Sequence, residues 1–334
     1  MSDYRPPFHM TNRITNLVAE ISEQIGRITV LAHGNLNPRL RRENRIRTIH
    51  SSLAIEHNSL SLEQVTAILD GKRILGDPNE IREVRNAYET YEMLLTLNPA
   101  SVKDLLRAHR QMMNGLIPEN GTFRSKGVGV FDGDVVVHMA PPAEFVPGQI
   151  KDLFNWYQTS EMHPLVKSAI FHYEFEFIHP FADGNGRLGR LWHSLLLGTW
   201  KELFFWLPIE ELIRTRQKEY YDALGKADRE ADSSEFVRFM LEVILDTLKQ
   251  TVIVGDAESN STNHVSGSIQ RLLDVIGSET LSAVEIMERL NMTHRPTFRK
   301  NYLTPALNAG VIEMTIPDKP NSRNQKYRRK QLGR

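Results

Sequence analysis

Residues His179 to Arg190 read HPFADGNGRLGR, and the apolar run LWHSLLLGTW follows at once. Gly184, Asn185 and Gly186 give a turn without bulky side chains directly before a helix, so backbone N–H groups and the helix N-terminus can converge on an anion. Arg187 and Arg190 add two guanidinium forks about one helical turn apart, suited to phosphate oxygens. Asp183 is a hard oxygen ligand beside that nest, as Mg2+ on a polyphosphate requires, and His179 can take a proton near neutral pH. Each element alone is commonplace, since histidines are mostly structural, glycine turns mostly turns and helix-start arginines mostly surface charges. Their conjunction within one loop is not. No Lys-Ser/Thr follows the glycines, which excludes a Walker A loop, and no HExxH occurs, which excludes a zincin. A dinucleotide-binding GxGxxG is set aside as well.

Working outward, the chain has 334 residues, enough for two or three domains and a well-buried core. Forty-one basic and 41 acidic residues cancel, so no global field favours nucleic acid or anionic lipid, and any such binding needs a local patch. Hydrophobic residues make up 40% and charged residues 25%, the balance of a folding chain. The absence of cysteine removes disulfides, thiolate nucleophiles and Cys-ligated zinc. MSDYRPPFHM lacks the apolar run of a signal peptide, and no segment has the roughly 18 apolar residues of a membrane span, so a cytoplasmic protein is expected.

Most apolar patterns repeat at three and four positions, which predicts a mainly α protein. One hairpin interrupts it: Val128 and Val130 alternate before Asp132-Gly133, a pair that tolerates a tight turn, and Val135 to His138 form the return strand. Gln217, Tyr220, Tyr221 and Leu224 share one helical face. AIFHYEFEF is ambiguous, because Phe171, Tyr173, Phe175 and Phe177 alternate like a strand while Val166, Ile170, Tyr173 and Phe177 fit a helix. Residues 255–267 are polar and rich in Ser and Asn, and predict a linker. Beyond it, Leu281, Val284, Ile286 and Leu290 outline a helix, Pro296 suits the start of the next and Gly310 its end. VIEMTI and QKYRR then read as paired strands, which together look like a winged helix.

HPFADGNGR with Arg190 resembles the complete signature of the Fic-domain proteins, HxFx(D/E)GNGRxxR. The resemblance implies a helical Fic core over residues 78–254, with a β-hairpin flap, an N-terminal helical region over 1–77 and a winged-helix-like domain over 268–334. It makes AIFHYEFEF helical. It also implies transfer of AMP from ATP to a Ser, Thr or Tyr hydroxyl of a target protein, or of the chain itself. His179 would be the base and Asp183 the Mg2+ ligand, with Phe181 packed beneath the loop. Gly184, Asn185, Gly186, Arg187 and Arg190 would hold phosphates, and Gln217, Tyr220 and Tyr221 would lie beside adenine. Val128, Gly129, Val130, Val135, Val136 and Val137 would line up the target. A homodimer is a further expectation from the resemblance.

SSLAIEHN, Ser51 to Asn58, resembles the family's inhibitory (S/T)xxxE(G/N) helix, with Ser52 and Glu56 at i and i+4. Glu56 would pair with Arg190 and deny it to the γ-phosphate, leaving ATP in an unproductive pose. The departure is His57 where Gly or Asn is usual, with Asn58 one place late. The phosphate motif does not fix the base, so UMP or phosphocholine transfer stays open, as does removal of AMP from a modified protein. A different class of protein, a nucleotide-sensing DNA-binding regulator, would use the C-terminal module, where Lys319 to Arg334 holds seven basic residues and no acidic one. Winged helices also dock proteins, so both contacts remain open. Arg39, Arg41, Arg42, Arg45 and Arg47 form a second basic stretch, expected to be a solvated or packed helix.

Overall fold

The computed structural model describes residues 4–31, 38–132, 135–290, 292, 294–308, 310–320, 322 and 324–330. They form two compact units, Met1–Val252 and Ile253–Arg334. In the first, α1 (Asn12–Leu31), α2 (Pro38–Ile55), α3 (Leu62–Leu69), α4 (Pro78–Glu92) and α5 (Val102–Met112) precede a hairpin of β1 (Gly129–Asp132) and β2 (Val135–Met139). Then follow α6 (Val146–Thr159), α7 (Pro164–Ile178), α8 (Asn185–Trp200), α9 (Ile209–Thr215), α10 (Gln217–Glu230) and, as far as Val252, α11 (Ser234–Ile276). One hydrophobic cluster runs from Ile14 to Leu248, so the N-terminal helices and those that follow fill the same interior.

The starts of these helices are written locally. Asp77 accepts from the backbone N–H groups of Asn79 and Glu80, with Pro78 at the first position of α4, where its missing N–H costs nothing. Ser61 and Gln64 close a capping box on α3. The segment whose periodicity is ambiguous is helical, as the resemblance implies. α7 is buried around most of its circumference, from Leu165 and Val166 through Ser168 to Phe175 and on to Ile178, so it carries no polar stripe to betray its period. It packs against α8, its neighbour in sequence, and the link between them is the quoted loop, His179 to Gly184.

The hairpin is present, with Gly129 opposite Met139 and Asp132 opposite Val135, and an irregularity between Val130 and Phe131. Asp132 therefore belongs to β1, which corrects the expected turn pair Asp132-Gly133; residues 133 and 134 lie outside the described residues. Val128 lies just before the strand, and its carbonyl accepts from the Ala140 N–H. The arginines of α2 are packed or paired, not arrayed as a free basic face. Arg45 is buried with its guanidinium 5.1 Å from the centres of both the Tyr91 and Trp206 rings, and Arg47 meets Glu211 at 2.6 Å. Arg42 bonds Asp70 at 2.6 Å, and Arg39 bonds Glu43 at 2.8 Å.

Residues 255–267 have helical backbone as part of α11, where composition predicts a linker. In the second unit, β3 (Leu281–Ser282), α12 (Ala283–Arg289), α13 (Arg295–Phe298) and α14 (Thr304–Asn308) precede β4 (Ile312–Met314) and β5 (Lys326–Arg329). The antiparallel sheet has the order β3-β5-β4, which completes a winged-helix arrangement. Leu281 is a strand residue and not part of the helix it was expected to outline. Ser282 caps α12 in a box with Glu285, and Val284 faces solvent while Ile286 and Met287 carry the core. Among the described residues no helix is long and apolar enough to cross a membrane.

Candidate active site

His179 ends α7 in the left-handed conformation, φ 49° and ψ 62°, a state that short polar side chains tolerate better than most. Its Nδ1 lies 3.3 Å from the Glu176 carbonyl, which can only accept, so Nδ1 carries the hydrogen and Nε2 the lone pair. Arg124, buried between the loop and the hairpin, donates to the carbonyls of His179 at 2.7 Å, Lys126 at 2.9 Å and Pro141 at 2.5 Å. A guanidinium spent on carbonyls ties His179 to both ends of the hairpin. Burial lowers its affinity for its proton.

Beneath the loop, Phe181 is fully buried and stacked on His109, ring centres 3.7 Å apart. His109 Nδ1 accepts from the Gly121 N–H, which leaves Nε2–H to donate to the Asp183 carbonyl at 2.9 Å. Burial pushes this imidazole down to about 4, so it stays neutral and keeps that tautomer at ordinary pH. The Asn185 amide both accepts from the Phe181 N–H and donates to the Phe181 carbonyl, each at 2.9 Å. Its side chain closes the loop on Phe181, whereas the resemblance assigns that amide to phosphate.

Gly184, at φ 82°, turns the chain into α8, and a Cβ there would strike Met113 Sδ at 2.6 Å. The first helical bond runs from the Leu188 N–H to the Gly184 carbonyl, which leaves the N–H groups of Asn185, Gly186 and Arg187 at the open end. Gly184, Gly186 and Gly189 do spell the GxGxxG spacing; what excludes a dinucleotide fold is that they follow helix α7 and not a strand.

Arg190, one turn into α8, is 1% exposed and held from the side of α2. Its Nε donates to Ser52 Oγ at 3.1 Å, and one terminal nitrogen donates to the Ser52 carbonyl at 2.9 Å and to Glu56 Oε1 at 2.8 Å. Burial disfavours the cation, but the Glu56 charge outweighs it and the guanidinium stays firmly protonated. A Cβ at Gly186 would come within 2.4 Å of Glu56 Oε1, so the carboxylate sits over the open end of α8 where an anion would bind. α2 ends in a Schellman turn: the Asn58 N–H bonds the Leu53 carbonyl and the His57 N–H that of Ala54. His57 takes the left-handed position, φ 68°, which explains why the family pattern has Gly or Asn after the glutamate.

Arg187 is placed differently from expectation. It is 5% exposed, with one terminal nitrogen 2.8 Å from Glu83 and the other 3.2 Å from Asp183, so it braces the carboxylate next to it. Asp183 itself is half exposed and faces outward beside the nest. Among the described residues no group of three or more His, Cys, Asp or Glu could hold a metal alone. One exposed carboxylate fits a cation that arrives with most of its ligands supplied by phosphate and water. Of the expected adenine-side face, Gln217 donates to the Ile55 carbonyl at 3.2 Å and Tyr220 is core, its hydroxyl 3.2 Å from His172. Tyr221 is 41% exposed. Val128 and Gly129 flank the hairpin entrance, while the side chains of Val130, Val135, Val136 and Val137 lie outside the described residues.

Sequence reasoning missed Glu83, His109 and Arg124, and it noted Asn58 without its partner. His109 left a signal, a histidine on the apolar stripe Leu105, Ala108 and Met112 of α5. Arg124 left none, since a carbonyl-bonded arginine has no sequence pattern.

Residues 99–197 match the Fic/DOC family model, and residues 267–329 match the model of the Fic-like C-terminal domain of filamentation-induced-by-cAMP proteins. The chain is 54% identical to a Fic family protein of Desulfovibrio desulfuricans G20, with a TM-score of 0.75, over 99% of this chain and 100% of that one. The chain belongs to the Fic family. It is also 30% identical over 250 residues to the protein adenylyltransferase fic-1 of Caenorhabditis briggsae and 33% identical over 226 residues to the protein adenylyltransferase Fic of Aedes aegypti. These matches cover 71% and 63% of this chain but only 46% and 42% of those proteins, so it spans less than half the length of the curated relatives it matches.

Two outcomes follow from this geometry. His109 and His172 are held neutral by burial, at about 4 and about 3 against an unfolded value near 6.5, so between these limits the folded state binds fewer protons. Their stabilisation is complete above about pH 6.5 and is lost as pH falls towards the folded values. Denaturant unfolding from pH 7 down to 4.5 will show this fall, and His109→Gln will flatten it by about 1.4 kcal/mol per pH unit near its midpoint. His57→Asn relaxes the left-handed residue and will raise stability by about 0.5 kcal/mol, read as an increased denaturant midpoint.

Proposed function

We propose that this Fic protein is an ATP-dependent protein adenylyltransferase, held inactive by Glu56. The observation that carries the reading is Glu56 on Arg190: a buried guanidinium and an open helix end converge on one carboxylate, the arrangement a terminal phosphate would need. His179 Nε2 takes the proton of the target hydroxyl, whose oxygen attacks the α-phosphorus as the bond to pyrophosphate breaks in line. The new P–O bond leaves AMP on the target. Gly186 and its neighbours offer backbone N–H groups to phosphate oxygens, and Arg190 neutralises the outer charge once Glu56 has left. Arg187 orients Asp183, and Asp183 would hold Mg2+ travelling with the nucleotide. Bound there, the ion would add charge neutralisation between phosphates.

The likeness to proteins named adenylyltransferases supports AMP over another phosphate-bearing group. The target hydroxyl would approach past the hairpin, whose ends Arg124 ties to the base. A cytoplasmic location accompanies this reading, in keeping with a cysteine-free chain.

Intact mass spectrometry after incubation with Mg-ATP tests it. Glu56→Gly protein, with cell lysate as a source of targets, will produce AMP-sized mass gains on itself or on lysate proteins. The unsubstituted chain will produce much less, and Glu56→Gly/His179→Ala none. Gains with UTP but not ATP, or equal gains with and without Glu56, would overturn the reading.

A further inference from the structure

Glu83 belongs to neither sequence motif, yet it joins the two. It lies on α4, and its Oε1 accepts from Arg187 at 2.8 Å. Its Oε2 accepts from the Asn58 side-chain amide at 2.8 Å, and the same amide reaches the Glu80 carbonyl at 3.3 Å. Asn58 is 8% exposed and is the residue that completes the Schellman turn behind Glu56. Its Oδ1 accepts from the Leu60 N–H at 3.1 Å. One turn back on α4, Glu80 accepts from the Ser59 N–H at 2.6 Å and from the Ser59 hydroxyl at 3.0 Å. One face of α4 thus grips the exit of α2 with one hand and the first arginine of α8 with the other.

A continuous polar chain results, Asn58 to Glu83 to Arg187 to Asp183. Its central pair is nearly desolvated, Arg187 at 5% and Glu83 at 21% exposure, so neither partner can be exchanged cheaply for water. His57 fills the left-handed position after the glutamate, and Asn58, the next residue of the turn, makes the link.

We propose that Glu83 is a positioning residue that couples the Glu56 latch to the loop. It sets Arg187 against Asp183, and through Asn58 it fixes the turn that keeps Glu56 on Arg190. It therefore has two opposed effects on nucleotide binding: it strengthens the block while Glu56 is present and prepares the loop once Glu56 is gone. This rests on the reading of Glu56 as the latch.

Two measurements on the full chain test it. In the first, ligand-free hydrogen exchange follows the amides of Glu56, His57 and Asn58. Glu83→Gln and Asn58→Asp will each speed their exchange about fivefold or more, a modest coupling for one lost charged contact. Asn58→Asp keeps the acceptor for Leu60 but opposes Glu83, and so cuts this one link. Unchanged exchange in both variants would overturn the proposal, whatever the chain's activity.

The second measurement is calorimetric titration with a non-hydrolysable Mg-ATP analogue in two backgrounds. With Glu56 present, both variants will tighten binding about fivefold. With Glu56→Gly, Glu83→Gln will weaken binding and Asn58→Asp will leave it unchanged. A loss of the same sign in both backgrounds would reduce Glu83 to a structural prop and overturn the coupling. If Glu56→Gly does not bind the analogue at all, the nucleotide reading falls, and hydrogen exchange alone decides whether Glu83 and Asn58 hold the turn.

Discussion

A guanidinium that is 1% exposed must find an anion, and the fate of Arg190 organises this molecule. Helix α8 delivers it into the interior one turn after a glycine-lined N-terminus. Here Ser52 supplies two oxygens and Glu56 the charge. The same carboxylate lies over Gly186, so Glu56 covers the guanidinium and the open helix end together. On the proposed reading, such a contact is cheap to hold and specific to displace, because a ligand that replaces Glu56 on Arg190 must bring comparable negative charge.

The loop before α8 is rigid by construction. Phe181 is packed on His109, Asn185 returns both amide bonds to Phe181, and Arg124 takes the carbonyl of His179. Each of these contacts acts on backbone or on buried apolar surface, and Asp183 stays half exposed beside them. His179 has its Nδ1 on the Glu176 carbonyl, which fixes the tautomer of the ring. Positioning of this sort is most of what phosphoryl-type transfer asks of a protein.

Much of this was readable from residue order. The glycine turn, His179 and Asp183 share one loop, Arg187 and Arg190 follow on the helix after it, and Ser52 and Glu56 sit at helical spacing. Local capping signals such as Pro296 and Gly310 also marked true helix ends. Where reading failed, tertiary burial had erased the local signal. α7 has no polar face to reveal its period, and Leu281 serves a short strand although its spacing suits the helix after it. Arg187 reads as a phosphate ligand by residue type, and only the approach of Glu83 from a helix 104 residues away shows that it is engaged. Long-range pairs of this kind leave no pattern in one sequence.

The central claim is that Glu56 and a terminal phosphate compete for Arg190. Crystal structures of the unsubstituted chain and of Glu56→Gly, each with a non-hydrolysable ATP analogue and Mg2+, test it most directly. The account predicts the γ-phosphate on Arg190 and against Gly186 in Glu56→Gly, and a nucleotide whose γ-phosphate is turned away from Arg190 in the unsubstituted chain. A γ-phosphate bound to Arg190 with the Glu56 contact still intact would contradict it.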